Sequence, residues 1–126
     1  MFFNHVVREE VSMKSMKCLA PKPQLTIYSD KLMEGGAFGK GIAMLLRGIV
    51  ETGSLHATTK KIHMAYSKAW RIIRETEASF GYNLIIRDGA RGSTLTKEGQ
   101  KLLTVYEQLE SEVGDFVTKR FSELVG

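Results

Sequence analysis

The sequence predicts a mainly α-helical fold with a small β hairpin, and three observations support this. Apolar residues recur at helical spacing in successive segments that end at Gly53 and Gly81. Two short apolar or β-branched runs flank "DGARG", residues 88–92, as expected of a hairpin with a small, basic tip. From Thr96 onward, apolar residues recur close to every seventh position, which indicates one long helix.

The first elements follow two prolines that stop any helix. In "APKPQLTIYSDKL", residues 20–32, Leu25 and Ile27 alternate with Thr26 and Tyr28, which predicts a short strand with one buried face. A glycine-rich turn, "MEGGAFGKG", comes next. The helix after it is predicted to face the core through five residues: Ile42, Leu45, Leu46, Ile49 and Val50.

Two shorter helical segments and the hairpin complete the predicted domain. Gly53 ends the first helix, and Ser54 can cap the next one, "LHATTKKI", which is about two turns long. A short link at 62–65 leads into a helix over 65–80. A short helix, a tight link, a longer helix and a β hairpin make a winged helix-turn-helix.

A chain of 126 residues suits one domain with appendages, which we predict in three parts. Residues 1–20 form a weakly ordered tail, 21–95 the winged helix-turn-helix domain for DNA binding, and 96–126 a long dimerisation helix. Its predicted dimerisation residues are Leu102, Tyr106, Leu109, Val113 and Phe116.

Cysteine content and hydropathy predict a cytoplasmic protein that does not enter the membrane. Cys18 is the only cysteine, so no internal disulfide can form, and a reducing compartment is expected. No apolar run approaches the roughly 18 residues that span a membrane. The N-terminal segment lacks the continuous apolar stretch of a secretory signal.

The charges of the 65–80 helix run against its dipole. Lys68, Arg71 and Arg74 lie toward its start and two glutamates toward its end, an order that costs a few tenths of a kcal/mol per charge. A projection at 100° per residue places Ser67 with Arg71 and Arg74 opposite the core-facing residues, which are Ala69, Ile72, Ile73, Thr76 and Phe80. Basic and hydroxyl side chains on an exposed helix face suit contacts to DNA bases and phosphates, each worth ~1–3 kcal/mol.

The excess positive charge is concentrated in the same part of the chain. The formal net charge is +4, and the sequence pI is about 9.3. Residues 56–101 hold nine basic and four acidic residues, a net charge of +5. Double-stranded DNA is therefore the predicted partner.

The segment from "GIAMLLRGIVETGS" to "LTKEGQKLL" resembles the N-terminal DNA-binding domain of the ModE-type molybdate-responsive regulators, a relative of the LysR-type domain. The resemblance depends on "ETGS", "MAYSKAW" and "LTKEG" and covers about residues 23–120. Trp70 favours the ModE branch, because LysR-type sequences usually carry a small polar residue there. The resemblance implies a homodimer that reads two half-sites, with Tyr66, Ser67, Lys68 and Arg71 in the groove and Arg87 and Arg91 in the wing.

The full set of predicted DNA-binding residues combines charge, projection and resemblance. It comprises Ser54, Lys60, Tyr66, Ser67, Lys68, Arg71, Arg74, Arg87 and Arg91. Trp70 is interpreted as a packing residue at the border of the core.

The sequence departs from the ModE pattern at several places. Ala65 stands where the family has the serine that caps the recognition helix. Thr58, Thr59 and Lys61 replace alanines, Thr76 replaces a core leucine, and the wing is shorter. Because no molybdate-binding domain follows before Gly126, molybdate is not expected as an effector, and no cofactor is predicted.

The alternatives are an enzyme and other modes of action for the same fold. "GGAFGKG" lacks the first glycine and the Ser/Thr of a phosphate-binding loop, and His56 and His63 have no third metal ligand nearby in sequence. Cys18 has no partner base, so an enzyme is not predicted. A dimerisation or adaptor module, or a nonspecific DNA-binding protein, remains open.

Overall fold

The computed structural model describes residues 16–30 and 36–126, and the chain divides into two compact units. One unit is Gln24–Leu109, and the other combines Met1–Pro23 with Glu110–Gly126. Most of the predicted 1–20 tail lies outside the described residues, as do residues 31–35, which include the start of the glycine-rich turn.

The order of helices and strands confirms the predicted winged helix-turn-helix. Helix α1 is Lys40–Thr52, α2 is Leu55–Lys61, and α3 is Tyr66–Phe80. Strands β1 (Ile85–Arg87) and β2 (Ser93–Leu95) pair antiparallel, with a 3-10 turn at Gly89–Arg91 between them. Helix α4, Lys97–Val125, follows the hairpin. In the described part of the chain, no helix is long and apolar enough to cross a membrane.

Helix α1 supplies much of the core of the larger unit. Ile42, Leu45, Leu46 and Ile49 are all buried as predicted. The prediction for Val50 is wrong, because its side chain is 52% exposed. Val50 comes eight residues after Ile42, about 80° further round the helix, and therefore lies at the edge of the apolar stripe.

The prediction of a strand around Leu25 and Ile27 is wrong, because the structure describes no strand over 24–28. Ile27 forms an antiparallel bridge with Phe38, with two N–O distances of 2.8 Å. Phe38 is followed almost at once by the first turn of α1, so the pairing cannot continue beyond Phe38 in that direction. The predicted alternation is correct, since Leu25 and Ile27 pack against the core while Thr26 is exposed.

Helix ends follow the sequence signals. Gly53 and Gly81 end α1 and α3 in the left-handed conformation, with φ of 75° and 86°. The Ser54 hydroxyl accepts a hydrogen bond from the Ala57 amide at 3.1 Å and caps α2. Ala65, in extended conformation at the start of α3, makes no side-chain cap.

Ala65→Ser is therefore expected to raise the free energy of unfolding by about 1 kcal/mol, because a hydroxyl can accept from an otherwise unpaired amide of the first turn of α3. Urea denaturation followed by circular dichroism measures the change. Ala65→Val, which adds a side chain without a cap acceptor, is the control. Equal stabilities for the serine and valine variants would contradict the capping argument.

The wing is attached to the helices through backbone hydrogen bonds. The Ser93 amide donates to the Gly53 carbonyl at 2.8 Å, and the Thr96 amide donates to the Leu84 carbonyl at 3.0 Å. The Thr96 hydroxyl then accepts from the Gly99 amide at 2.9 Å and caps α4. The hairpin therefore has a defined position relative to α1 and α4.

The first half of α4 packs within the Gln24–Leu109 unit. Tyr106 is 2% exposed, and its ring lies 5.4 Å from that of Phe38. Arg47 of α1 forms a two-pronged ion pair with Glu107, with Nε at 2.8 Å from Oε2. Hydrogen bonding to this carboxylate raises the pKa of Arg47 above its ordinary value.

Candidate nucleic-acid interface

The short helix α2 packs closely against α1 because one of the contacting residues has no side chain. A Cβ at Gly48 would meet the side chain of Thr58, which is fully buried. The Thr58 hydroxyl donates to the Ser54 carbonyl at 2.8 Å, so its burial leaves no unsatisfied group. Thr58, one of the departures from the ModE pattern, is thus accommodated between α1 and α2.

Helix α3 presents the face that the projection predicts. Ala69, Ile73 and Thr76 are buried, and Ile72 and Phe80 pack partly buried against the core. Over residues 66–74, the exposed side chains are polar or basic: Ser67, Lys68, Arg71 and Arg74. We call this exposed surface, with Tyr66 at its border, the α3 face.

Arg71 has a weak partner on its own helix. Its Nε lies 3.9 Å from the Glu75 carboxylate, and both side chains are more than half exposed. An exposed pair four residues apart on a helix contributes only about 0.3–0.5 kcal/mol. The pair with Glu75 is therefore too weak to prevent Arg71 from binding a stronger anionic partner.

Glu77 joins α3 to the wing, a role that the sequence did not reveal. Its Oε2 accepts from the Leu84 amide at 2.7 Å and from the Ile85 amide at 3.4 Å. The carboxylate that opposes the helix dipole thus gains two backbone donors at the start of β1. A glutamate shortly before the Gly81 turn is the only sequence signal for this contact, and it is a weak one.

Trp70 joins α3 to the wing a second time, through two arginines. The guanidinium carbon of Arg87 lies 4.6 Å from the centre of the Trp70 ring, and that of Arg74 lies 5.2 Å away. Arg87 Nη2 also donates to the Tyr66 hydroxyl at 3.3 Å. The Tyr66 ring contacts both Trp70 and His56 edge-on, at 6.3 Å and 5.6 Å between ring centres.

The predicted packing role of Trp70 agrees with its partly buried position against the core. Its second role, as a contact for arginines from two elements, could not be predicted from sequence. Arg74 follows Trp70 by four residues and is its neighbour on any helix. Arg87 reaches the ring only because the hairpin folds back along α3.

The remaining predicted DNA-binding residues surround the α3 face. Lys60 is exposed at the end of α2, and Arg91 is 86% exposed at the wing tip, 3.9 Å from Asp88. Ser54 differs from the others, because its oxygen already accepts the bond that caps α2. Ser54 could therefore contact DNA only by donating its hydroxyl hydrogen.

The structure gives the glycine-rich segment a packing role. A Cβ at Gly36 would collide with backbone atoms of Glu75 and Thr76, so this residue allows the chain to approach α3 closely. Within residues 16–30 and 36–126, no three His, Cys, Asp or Glu side chains form a metal-binding group. His56 contacts an aromatic ring instead.

Three helices, a β hairpin and a basic α3 face define the class of the protein: a winged helix-turn-helix DNA-binding domain. Residues 44–100 match the family model described as a bacterial regulatory helix-turn-helix protein of the lysR family. The match covers 57 of the 126 residues, from within α1 to the first turn of α4. No curated protein matches the chain. The match supports a LysR-like, DNA-binding regulator of transcription.

Proposed function

We propose that this protein regulates transcription by binding duplex DNA as a homodimer, with α3 of each chain in the major groove and the wing beside it. The observation that carries the proposal is the exposed basic α3 face, with Arg87 of the wing held against the same helix. A helix that enters the major groove must present such side chains outward and its apolar side to the core. The charge order of α3, unfavourable for an isolated helix, places its cations where the first turns would meet DNA.

The proposed contacts divide by chemistry into two kinds. Ser67, Lys68 and Arg71 extend from the middle of the α3 face and are proposed to contact base edges. Lys60 of α2 and the two wing arginines, Arg87 and Arg91, are proposed to contact phosphates, which give affinity without sequence preference. The resemblance to ModE-type domains likewise implies that Ser67, Lys68 and Arg71 lie in the groove and that Arg87 and Arg91 belong to the wing.

Homodimer formation is proposed through the second half of α4. Phe116 is 68% exposed and Leu109 is 38% exposed, and with Val113 they follow heptad spacing. Large apolar side chains exposed in such a row suit a second, identical helix. Tyr106 and Leu102 pack within their own chain, so the proposed seam begins at Leu109.

Selection of bound duplexes from a random pool, followed by anisotropy titration of the selected duplex at several salt concentrations, tests the proposal. We expect a palindromic site and a steep fall of log affinity with log salt. Steep salt dependence without an enriched site would favour the nonspecific DNA-binding protein. Absence of binding at low salt would overturn the proposal and favour the dimerisation or adaptor module.

Two arginine variants separate base reading from phosphate binding. Arg71→Ala is expected to reduce the preference for the selected duplex over a scrambled one by about tenfold, because it removes a hydrogen-bonding partner of a base. Arg91→Ala is expected to weaken both duplexes equally and to reduce the salt slope by about one, because one phosphate is no longer neutralised by the protein. Anisotropy titrations of both duplexes measure the two effects.

Lys119→Ala is the matched control for these variants, because it removes one exposed positive charge from α4, far along the chain from the α3 face. It should leave the preference between duplexes unchanged. Wild-type preference in Arg71→Ala together with a changed preference in Arg91→Ala would reverse the assigned roles.

A further inference from the structure

Arg74 and Arg87 differ from the other arginines of the proposed DNA-binding surface in their electrostatic partners. Arg71 lies 3.9 Å from Glu75, and Arg91 lies 3.9 Å from Asp88. Among the described residues, neither Arg74 nor Arg87 forms an ion pair; each instead has its guanidinium against the Trp70 ring. Two positive charges are therefore gathered on one ring without an ion-pair partner, since Glu77, which lines the same small cavity, accepts hydrogen bonds from the amides of Leu84 and Ile85 instead.

Such an arrangement is unfavourable in the free protein unless another factor offsets it. Like charges held at one ring repel each other, while the ring attracts each of them only modestly at an exposed site. An anion with closely spaced charges would relieve the repulsion. A DNA backbone offers one negative charge about every 1.7 Å along the duplex axis and fits this requirement.

Trp70 also limits the freedom of the two side chains. A long arginine side chain loses many rotamers when it binds a phosphate, and a contact that already restricts it reduces this loss. Arg87 is restricted twice, by the ring and by its hydrogen bond to the Tyr66 hydroxyl. Because Arg74 belongs to α3 and Arg87 to β1, one indole ring sets the spacing of charges on two separate elements.

We propose that Trp70 is a positioning residue for DNA binding: it holds Arg74 and Arg87 as a paired phosphate contact that joins the recognition helix to the wing. This inference rests on the proposed function and adds to it a specific pair of phosphate ligands. Trp70 itself contacts the arginines and not the DNA.

Trp70→Leu, Trp70→Phe and Phe80→Leu test the proposal together, in the full chain. Trp70→Leu removes the aromatic face and is expected to lower affinity for selected and scrambled duplexes alike by about tenfold, since two side chains are no longer preorganised. Trp70→Phe keeps an aromatic face and should recover most of the affinity. Phe80→Leu removes another partly buried aromatic residue of α3, one whose ring contacts Tyr82, and controls for weakened packing.

The salt slope and a double-mutant cycle supply readouts that weakened packing would not move. The slope should become shallower in Trp70→Leu but not in Phe80→Leu, with thermal melting used to confirm that both variants are folded. In an Arg74→Ala/Arg87→Ala background, Trp70→Leu should have no further effect on affinity.

The possible results separate the two proposals. A tenfold loss of affinity that persists in the arginine-free background, an equal loss in Phe80→Leu, or wild-type affinity in Trp70→Leu would overturn the positioning role and leave DNA binding intact. A wild-type chain that binds no duplex would overturn both.

Discussion

Gly99→Ala is expected to lower the free energy of unfolding by about 2 kcal/mol, within the range found when a well-packed site is overfilled. Gly99 lies in the first turn of α4, where a Cβ would collide with the carbonyl group of Leu84. That carbonyl cannot easily move aside. It accepts a hydrogen bond from the Thr96 amide at 3.0 Å, and the Leu84 amide donates to the Glu77 carboxylate.

Gly114→Ala is the matched control, with the same substitution in the same helix. Among the described residues, no atom beyond its chain neighbours and the nearby backbone of its own helix lies within 4 Å of a Cβ built at Gly114. Alanine is favoured over glycine within a helix by roughly 0.5–1 kcal/mol, so this variant should be more stable than the wild type. Urea titrations of both variants measure the changes, and a stability change of the same sign in both would show that close packing at Gly99 is not the cause.

Gly99 also illustrates where sequence reasoning stops. Glycine at a helix end or in a turn is a local signal, and for that reason the sequence correctly predicts helix ends at Gly53 and Gly81. Gly48 and Gly99 lie inside helices, where their sequence context predicts only lower helix stability. The elements that approach them, α2 and the start of the wing, are determined by tertiary packing.

The helices and the hairpin are predictable because their signals are short-range. Apolar spacing, a cap at Ser54 and the "DGARG" turn each act over a few residues. The predicted strand around Ile27 is wrong because a strand also needs a partner, and Phe38 lies just before a helix. The predicted burial of Val50 is wrong because the sequence does not show whether another element covers the edge of the apolar stripe of α1.

For the candidate site, projection of α3 predicts which side chains face outward, and the structure agrees for Ser67, Arg71 and Arg74. The connections between α3 and the wing are not predictable in this way. Glu77 binds amides beyond the Gly81 turn, and Arg87 reaches Trp70 across a hairpin. Both contacts depend on how the chain folds back, which no local pattern records.

Phe116→Glu is expected to convert the proposed dimer into a monomer and to lower affinity for a two-half-site duplex by at least about a hundredfold. In a symmetric helix pair this position would face its counterpart, and an unpaired buried charge costs several kcal/mol. A monomer would then bind each half-site separately and forgo the gain of joint binding. Sedimentation measures the association state, and anisotropy measures affinity for duplexes with one and two half-sites.

Ser111→Glu provides the control, since it adds the same charge to α4 about 140° away from Phe116. It should leave the protein dimeric and its affinity for the two-half-site duplex nearly unchanged. The duplex with one half-site provides a second test. It should bind Phe116→Glu about as tightly as it binds one DNA-binding domain of the wild-type dimer, because only one domain contacts it in either case. A Phe116→Glu variant that remains dimeric would place the dimer interface elsewhere, whereas a monomeric variant with full affinity would show that each DNA-binding domain acts alone.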